Sequence, residues 1–419
     1  MKVAEDSPAA AAAEETQSWL VRLARKLVLS KMQVIERGHL LIEEGGISYR
    51  FGQPLERAKI RAHIRVRDED AYVQVLLNGT IGSGEAYMQG AWDSPNPLDV
   101  IRVMVDNMSL VESMDGRWSQ LPRTVLRMLH RWNSNNRSGS RKNIAAHYDL
   151  GNDFFRLFLD KTMLYSSGIF PSEHTSLYQA SVYKMEHICQ KLQLKADDHL
   201  LEIGTGWGGM AIYAAKHYGC QVTTATISAE QYEYARGWVE REGLQDRVTV
   251  LLQDYRDLHG CFDKLVSIEM VEAVGHEYHR KFFSICNRLL KDEGLMLMQA
   301  ITIADQRYHQ YRKEIDFIQR YIFPGGCLPS NQIVAEQIAT ATDMQIVGLE
   351  DITADYARTL RYWREAFLSQ LSQVRQLGFD ERFIRMWEFY LCYCEGGFMQ
   401  RVISTAQFVF AKPRYLGRF

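Results

Sequence analysis

The sequence has no hydrophobic run that approaches the ~20 residues needed to span a bilayer, and no strong excess of either charge. Its 49 Lys and Arg and 51 Asp and Glu leave a net charge of −2, which offers no basic excess for binding nucleic acid. The seven cysteines lack metal-ligand spacing, so we expect reduced thiols and no metal site. No apolar segment with a cleavage site opens the chain. These absences predict a cytoplasmic protein.

The length of 419 residues allows two domains, and composition shifts along the chain predict their limits. We expect a disordered tail at 1–16, a small N-terminal domain at 17–125, a polar linker at 126–143 and a larger domain at 144–419. Trp19, Leu20, Leu23 and Leu27 recur at helical spacing among basic residues. Such a helix either lies on an anionic membrane or packs on its own domain.

The most informative stretch runs from Leu200 to Tyr218, where an apolar run ends in a glycine-rich turn followed by a helical pattern. Strand, glycine turn and helix open many nucleotide-binding α/β domains, because Gly204 and Gly206 let the backbone approach a ligand. Glu202 precedes the first glycine by two residues, where a carboxylate can hold a ribose or an ammonium group. The turn lacks the Lys-Ser/Thr pair of a phosphate-binding loop. A tight turn without a ligand is the alternative.

Strand and helix patterns alternate after residue 199, which predicts a mostly parallel sheet. The predicted strands are 199–203, 220–226, 247–252, 262–268 and 295–301, with two more at 344–349 and 406–411. The predicted helices are 176–193, 208–218, 228–242 and 277–291, with a turn at 292–294, an inserted aromatic helix at 305–323 and a helical stretch at 355–400. Asp153 is predicted to cap a helix that runs to Leu159. The many aromatics of 355–400 either pack or line an apolar tunnel.

Polar residues follow the strands at the sheet edge where open α/β folds bind ligands. The second strand ends without the acidic residue that a dinucleotide dehydrogenase offers to ribose. Asp254 and Tyr255 follow the third strand and can meet an adenine, or form an exposed turn. Glu269 and Glu272 follow the fourth strand and can share a helical face. Glu272 is the stronger candidate for a site residue.

In combination these segments resemble the cyclopropane fatty acid synthases of the class I S-adenosylmethionine (SAM)-dependent methyltransferase superfamily, over residues 60–412. The resemblance rests on the glycine turn, Glu272 and the segments His147-Tyr148-Asp149, Tyr165-Ser166, Thr226 to Gln231, Gln253 to Leu258 and Tyr321 to Pro324. It implies a Rossmann-like, seven-stranded methyltransferase sheet with helical insertions, preceded by a small α+β domain that helps the enzyme reach the bilayer.

The resemblance also implies ligands and partners. The cofactor would be SAM and the substrate a cis-unsaturated acyl chain of a membrane phospholipid, reached by peripheral contact with the inner membrane face, in a homodimer. Tyr165 and Ser166 would close over SAM. The other candidate cofactor residues are Glu202, Gly204, Gly206, Thr226, Ile227, Gln231, Asp254 and Tyr255.

The proton-accepting site departs from the family pattern. The family's base is a bound bicarbonate, and the bacterial synthases hold it with a Cys where this chain has Ser167 and a His where it has Gln299. Glu272 and Tyr356 are retained, and Glu269 replaces a small residue. The sequence therefore leaves open whether the product is a cyclopropane or a methyl- or methylene-branched chain. A soluble N-methyltransferase and a non-catalytic lipid-binding protein on the same fold are the rival hypotheses.

Overall fold

The computed structural model describes residues 8–108 and 150–417. Both the predicted linker at 126–143 and the His147-Tyr148-Asp149 segment lie outside the described residues. The chain forms two compact units. The first contains residues 8–108 together with Phe379–Gln400, and the second contains residues 150–378 and 401–417.

The first unit is an α+β unit built on a four-stranded sheet of order β2-β1-β3-β4. Its strands are β1 (His39–Glu44), β2 (Ile47–Gly52), β3 (Arg61–Val66) and β4 (Trp92–Asp93). Strand β1 pairs antiparallel with β2 and parallel with β3. Helix α1 (Pro8–Met32) precedes β1, α2 (Asp70–Met88) lies between β3 and β4, and α3 (Pro97–Asp106) follows β4.

Helix α1 begins at Pro8, so residues 8–16 are helical, and the predicted disordered tail is wrong for them. From residue 19 onward the helix carries apolar residues on two faces. One face is buried and contains Val21, Ala24, Val28 and Met32. The other keeps Trp19, Leu20, Leu23 and Leu27 between 36% and 48% exposed. Packing on the unit's own core therefore uses only one of the two apolar faces.

The second unit contains the predicted seven-stranded sheet, in the order β10-β11-β9-β8-β5-β6-β7. Its strands are β5 (His199–Ile203), β6 (Gln221–Thr226), β7 (Val248–Leu252), β8 (Phe262–Ile268), β9 (Leu290–Ile303), β10 (Gln345–Asp351) and β11 (Ile403–Ala411). The pairs among β5 to β9 are parallel, and β11 runs antiparallel between β9 and β10. All seven predicted strands are present.

Successive side chains of β5 point to opposite faces of the sheet and pack into two separate hydrophobic cores. Leu201 and Ile203 pack into one core with Phe282 and Phe283. Leu200 packs into the other core, against the helices on the opposite face. A strand that is buried on both faces has a nearly continuous apolar sequence, and this run of apolar residues is the signal that predicts β5.

Helices flank the sheet of the second unit. They are α4 (Asn152–Arg156), α5 (Leu177–Lys191), α6 (Gly209–Tyr218), α7 (Ala229–Arg241), α8 (His279–Leu289), α9 (Asp305–Tyr311), α10 (Phe317–Tyr321), α11 (Asn331–Ala341), α12 (Thr353–Ser369) and α13 (Leu371–Gln376). Helix α5 starts with a capping box, in which Ser176 accepts from the Gln179 backbone N–H and the Gln179 side chain accepts from that of Ser176.

Three local predictions are wrong. The predicted helix at 305–323 is two short helices, α9 and α10, because Asp316 caps a new start at Phe317. The predicted turn at 292–294 lies inside β9, as extra residues where the register against β8 shifts. Gly151, and not Asp153, is the residue that precedes α4, which ends at Arg156.

The predicted helical stretch at 355–400 ends in α14 (Glu381–Met399), which belongs to the first unit. The Tyr87 hydroxyl donates to Glu388 Oε2 at 2.8 Å, and the Phe389 ring lies 5.6 Å from that of Tyr87. A Cβ on Gly396 would come within 2.8 Å of the Ile101 side chain. A single continuous domain at 144–419 is therefore not what the chain forms.

Candidate active site

The glycine turn between β5 and α6 forms one wall of the candidate site. Gly204, Gly206 and Gly208 all have positive φ angles, which explains why glycine is required there. A Cβ on Gly206 would meet no atom within 4 Å, so this side of the turn faces open space. A Cβ on Gly204 would lie 3.3 Å from the Met270 side chain, in the segment after β8. The turn therefore has room for a ligand and adjoins the segment that carries Glu269 and Glu272.

Glu202 is buried beneath the turn. The hydroxyl of Thr224 lies 2.6 Å from Glu202 Oε2 and 2.7 Å from the Thr205 hydroxyl. Burial raises the pKa of Glu202 to about 8, against the lowering effect of its hydrogen bond with Thr224. Glu202 thus supports the turn from below, and its contact with a ribose or ammonium group stays a prediction.

The residues after β6 are arranged around Thr226. The Thr226 hydroxyl donates to Gln231 Oε1 at 2.9 Å and accepts from the Ser228 backbone N–H at 3.1 Å. Ser228 caps α7 through the Gln231 backbone N–H. Ile227 lies between the two hydroxyl residues. The structure therefore places Thr226, Ile227 and Gln231 together at the carboxyl end of β6, next to the glycine turn on β5.

Asp254 and Tyr255 follow β7 at the same sheet edge. Arg256 donates two side-chain hydrogen bonds to Asp254, at 2.8 and 2.6 Å. The Tyr255 ring packs edge-on against Phe282, with centroids 5.6 Å apart. Asp254 is thus held in a buried ion pair, so contact of either residue with adenine stays a prediction.

The segment 162–167 crosses the start of α6. A Cβ on Gly209 would lie 2.6 Å from the Thr162 carbonyl oxygen, so only glycine permits this close approach. The Tyr165 ring contacts Phe155 at 5.3 Å and Trp363 at 5.1 Å. The predicted cover residues Tyr165 and Ser166 are therefore tied to the glycine-turn helix through this segment.

Lys184 is a fully buried cation that is absent from the residues predicted for the site. Its ammonium group donates to the Ser166 hydroxyl at 2.5 Å. Burial lowers its pKa to about 8, while Glu269 and Asp160 oppose that shift. Lys184 lies one turn from Ala180 and one turn from Ile188, both buried on α5. A lysine on the core-facing stripe of a helix is the signal that identifies it.

Glu269 stands at the centre of the site. Its Oε1 accepts from the Ser167 backbone N–H at 3.0 Å and from Gln299 Nε2 at 2.8 Å. Its Oε2 accepts from the Tyr356 hydroxyl at 2.6 Å. Glu269 has a positive φ of 50°, an uncommon conformation for a residue other than glycine. It also precedes the short 3₁₀ turn Val271–Val274, so the predicted helical face shared with Glu272 is not formed.

The amide orientation of Gln299 follows from a chain of side chains across the sheet. Lys191 can only donate, and it donates to Gln407 Oε1 at 2.8 Å. Gln407 Nε2 therefore faces Gln299 Oε1, 2.9 Å away. That contact directs the Gln299 amide N–H groups toward Glu269. Both protein contacts of Glu269 Oε1 are thus N–H donors, as a carboxylate oxygen requires.

Glu272 lies in a different environment. Its Oε1 accepts from the Ile301 backbone N–H. Its Oε2 is buried and has no hydrogen-bond partner among the residues that the structure describes. Burial, reinforced by the charge of Glu269, raises the pKa of Glu272 to about 8. Two buried carboxyls in one site favour opposite protonation states, and the pKa of Glu272 makes it the protonated one near pH 7.

These contacts also bear on a bound bicarbonate. Three of the four residues predicted to hold it, Ser167, Gln299 and Tyr356, direct their donors onto the Glu269 carboxylate. The Ser167 hydroxyl donates to the Gly168 carbonyl at 2.9 Å. The fourth residue, Glu272, is a carboxyl group and provides no positive charge that would bind an anion. The residues present therefore do not fit a second anion in this position.

No group of three or more His, Cys, Asp or Glu side chains in residues 8–108 and 150–417 is arranged to hold a metal ion. Within the same ranges, none of the helices combines the length and apolarity that crossing a membrane requires.

Comparisons with known proteins place this site in a family. Residues 135–408 match the family described as "Mycolic acid cyclopropane synthetase". The tuberculostearic acid methyltransferase UfaA1 of Mycobacterium tuberculosis is 38% identical, over 79% of this chain and 78% of the relative. The cyclopropane-fatty-acyl-phospholipid synthase of Escherichia coli K12 is 38% identical over 89% of this chain and 92% of its own length.

A solved structure supports the same assignment. The mycolic acid cyclopropane synthase CmaA1, complexed with SAH and CTAB, superposes with a TM-score of 0.61 at 32% identity, covering 65% of this chain and 98% of that one. SAH is the demethylated product of SAM. With the family match over most of the chain, the chain belongs to the mycolic acid cyclopropane synthetase family and is a SAM-dependent methyltransferase.

Proposed function

We propose that the enzyme transfers a one-carbon unit from SAM to the cis double bond of an unsaturated phospholipid acyl chain. The observation that carries the proposal is the pair of buried carboxyls, Glu269 and Glu272, on either side of Met270, whose side chain adjoins the glycine turn. Methyl transfer to carbon needs a site that excludes water and accepts a proton from carbon. A relative whose name specifies a fatty-acyl-phospholipid supports this substrate class.

The residues of the site have separable tasks in this chemistry. SAM supplies an electrophilic methyl group, and we place it along the turn at Gly204 and Gly206, with Thr226, Ile227, Gln231, Asp254 and Tyr255 at the neighbouring strand ends. The aromatic cluster of Phe155, Tyr165 and Trp363 excludes water, and its ring faces favour a cation. Protonated Glu272 can donate from its free Oε2 without adding negative charge beside Glu269.

The product depends on what the alkyl cation does before a proton leaves the added methyl group. Direct loss of this proton with ring closure gives a cyclopropane. A shift of hydride from the methylated carbon to the cationic carbon, followed by loss of a methyl proton, gives a methylene branch. A methyl branch requires a later reduction. The name of the tuberculostearic acid methyltransferase favours keeping a branched product as the second candidate.

Lipid analysis with methyl-deuterated methionine tests the proposal. The chain is expressed in a host without its own cyclopropane synthase, and the phospholipid acyl chains are analysed by mass spectrometry. We expect a mass gain of one carbon with two of the three deuterium atoms retained. Mild catalytic hydrogenation then reduces a methylene group and leaves a cyclopropane ring intact. Acyl chains without added label would contradict the proposed substrate.

Two control assays separate the rival hypotheses. Turnover of a soluble amine without turnover of phospholipid vesicles would favour an N-methyltransferase. Failure to bind SAM in calorimetric titration would favour a non-catalytic protein on this fold.

We further propose that α1 makes the peripheral contact with an anionic membrane, at the inner membrane face. Its exposed leucines at 20, 23 and 27 alternate with the exposed basic residues Arg22 and Lys26. Apolar side chains beside cations are the combination that binds an anionic lipid surface. Homodimer formation stays a prediction that light scattering of the purified enzyme tests.

A further inference from the structure

We infer that the Glu269 carboxylate is the base of this enzyme and occupies the place of a bound bicarbonate. This inference rests on the proposed function, since it assigns the proton acceptor for that reaction. It also follows from the hydrogen bonds of the site, because the donors predicted for a free anion already hold the carboxylate of a glutamate.

The Glu269 carboxylate accepts hydrogen bonds from three donors, two on Oε1 and one on Oε2. Ser167 N–H and Gln299 N–H meet Oε1 at 3.0 and 2.8 Å, and the Tyr356 hydroxyl meets Oε2 at 2.6 Å. The Gln299 amide is itself fixed through Gln407 and Lys191. Oε1 is saturated by two N–H donors, so proton transfer to this carboxylate takes place at Oε2, beside Tyr356.

The backbone around Glu269 is also specific for this position. Its own N–H donates to the Gln299 carbonyl at 2.8 Å, so the residue is anchored to β9 on both its backbone and its side chain. The positive φ of 50° is the kind of conformation usually left to glycine, and here a glutamate adopts it. Burial raises the pKa of Glu269, and the charge of Lys184 with the donors from Tyr356, Gln299 and Ser167 opposes that rise.

The proposed step balances without another reactant. The methyl carbon of SAM bonds to one alkene carbon as its bond to sulfur breaks, and the second alkene carbon becomes cationic. SAH leaves as a neutral thioether. A C–H bond of the added methyl group then breaks, its proton goes to Glu269 Oε2, and the electron pair closes the ring onto the cationic carbon. For the methylene product, the hydrogen on the methylated carbon first shifts as hydride to the cationic carbon, and the electron pair of the methyl C–H bond then forms the double bond as its proton goes to Oε2. The proton later leaves to solvent.

Three proteins test the inference: the wild type, Glu269→Gln and Glu269→Gly. Each is purified in buffer freed of carbon dioxide and assayed with and without added sodium bicarbonate. SAM affinity, measured by calorimetry, reports whether each variant retains its fold. Because a general base contributes about 10²–10⁴-fold in rate, we expect Glu269→Gln to lose activity by that factor at unchanged SAM affinity.

Bicarbonate provides the second comparison. We expect wild-type activity to be independent of it, and Glu269→Gly to recover activity as bicarbonate fills the vacated space. Wild-type stimulation by bicarbonate, or full activity of Glu269→Gln, would overturn the inference.

A binding measurement keeps the inference separate from the substrate. ¹³C-bicarbonate titrations followed by NMR line width need no lipid and no turnover. We expect no binding to the wild type and saturable binding to Glu269→Gly. If the wild type modified no acyl chain yet showed this binding pattern, the substrate proposal would fail and the anion-site assignment would stand. Saturable binding to the wild type would refute the assignment itself.

Discussion

At the scale of single residues, the site depends on a buried positive charge that balances a buried negative one. Lys184 has no exposed surface, and Glu269 is the first charge that opposes the lowering of its pKa. Asp160 is the second. Glu269 in turn faces Lys184, Glu272 and Tyr356. We therefore treat Lys184 as a positioning residue that keeps Glu269 ionised.

Replacing Lys184 with Met tests this role. Without the ammonium group, the pKa of Glu269 rises further, so the acidic limb of the kcat–pH profile moves to higher pH. Because Lys184 donates to Ser166, a candidate cofactor residue, SAM affinity is measured alongside the profile. Lys195→Met, on an exposed lysine just beyond the same helix, is the matched control and should leave the profile in place. An unshifted acidic limb in Lys184→Met would show that the charge has no such role.

Glu202 gives a prediction about stability. Its pKa is raised to about 8 in the folded protein, so the folded state holds a proton that an unfolded chain has released above about pH 4.5. The stability contributed by this group is therefore complete below pH 4.5 and is lost as the pH rises to 8. We expect Glu202→Gln to flatten the decline of Tm between pH 5 and 8, measured by calorimetry. Glu230→Gln, on the exposed surface of α7, should follow the wild-type curve.

The residues that the sequence could and could not identify differ in a physical way. Gly204, Gly206 and Thr226 lie in local motifs, so the residues that determine their backbone conformation are neighbours in the sequence. The sequence favours Glu272 over Glu269, because the importance of Glu269 comes from donors on Ser167, Gln299 and Tyr356, which are far apart in the chain. Contacts between residues so far apart in the chain leave no periodic pattern in the sequence from which they could be predicted.

At the scale of elements, one glycine of the site and one glycine outside it form a testable pair. Gly209 starts α6 against the Thr162 carbonyl, which a Cβ would approach to 2.6 Å. Gly237 lies within α7, where a Cβ would meet only the end of the Arg241 side chain at 3.4 Å. We expect Gly209→Ala to weaken SAM binding about 10-fold, equal to ~1.4 kcal/mol, as the segment 162–167 moves away. Gly237→Ala should bind SAM normally and gain ~0.5–1 kcal/mol of stability.

Helix α1 yields the second prediction at this scale. Its exposed apolar face is broken by Leu23→Glu without loss of the buried face at Val21, Ala24 and Val28. We expect this variant to lose flotation with vesicles that contain anionic lipid, while its thermal unfolding stays unchanged. Leu349→Glu, at an exposed leucine of strand β10 in the second unit, is the control and should still float. Equal flotation of both variants would exclude α1 as the membrane contact.

At the scale of the whole molecule, the seven strands of the large sheet were predictable, and the division into units was not. Strand–helix alternation is local, so the seven strands could be located from their apolar runs. The contribution of α14 to the first unit depends on contacts such as Tyr87 with Glu388, whose sequence separation is 301 residues. A chain cut at its polar linker was therefore the natural prediction, although it assigns α14 to the wrong unit.

The position of α14 in the first unit leads to a prediction about the protein after proteolytic cleavage. A protease site inserted between residues 126 and 143 divides the chain, and α14 then belongs to the C-terminal fragment while its packing partners on α2, α3 and β4 belong to the N-terminal one. Arg385 donates to the Trp92 carbonyl at 2.7 Å, and Phe389 contacts Tyr87 and Trp92. We expect both fragments to elute together in size-exclusion chromatography after cleavage.

Gly396→Val, whose side chain would press on Ile101, should allow them to separate, because it disrupts the α14–α3 contact. Separation of the unsubstituted fragments would instead show that the first unit holds together without α14.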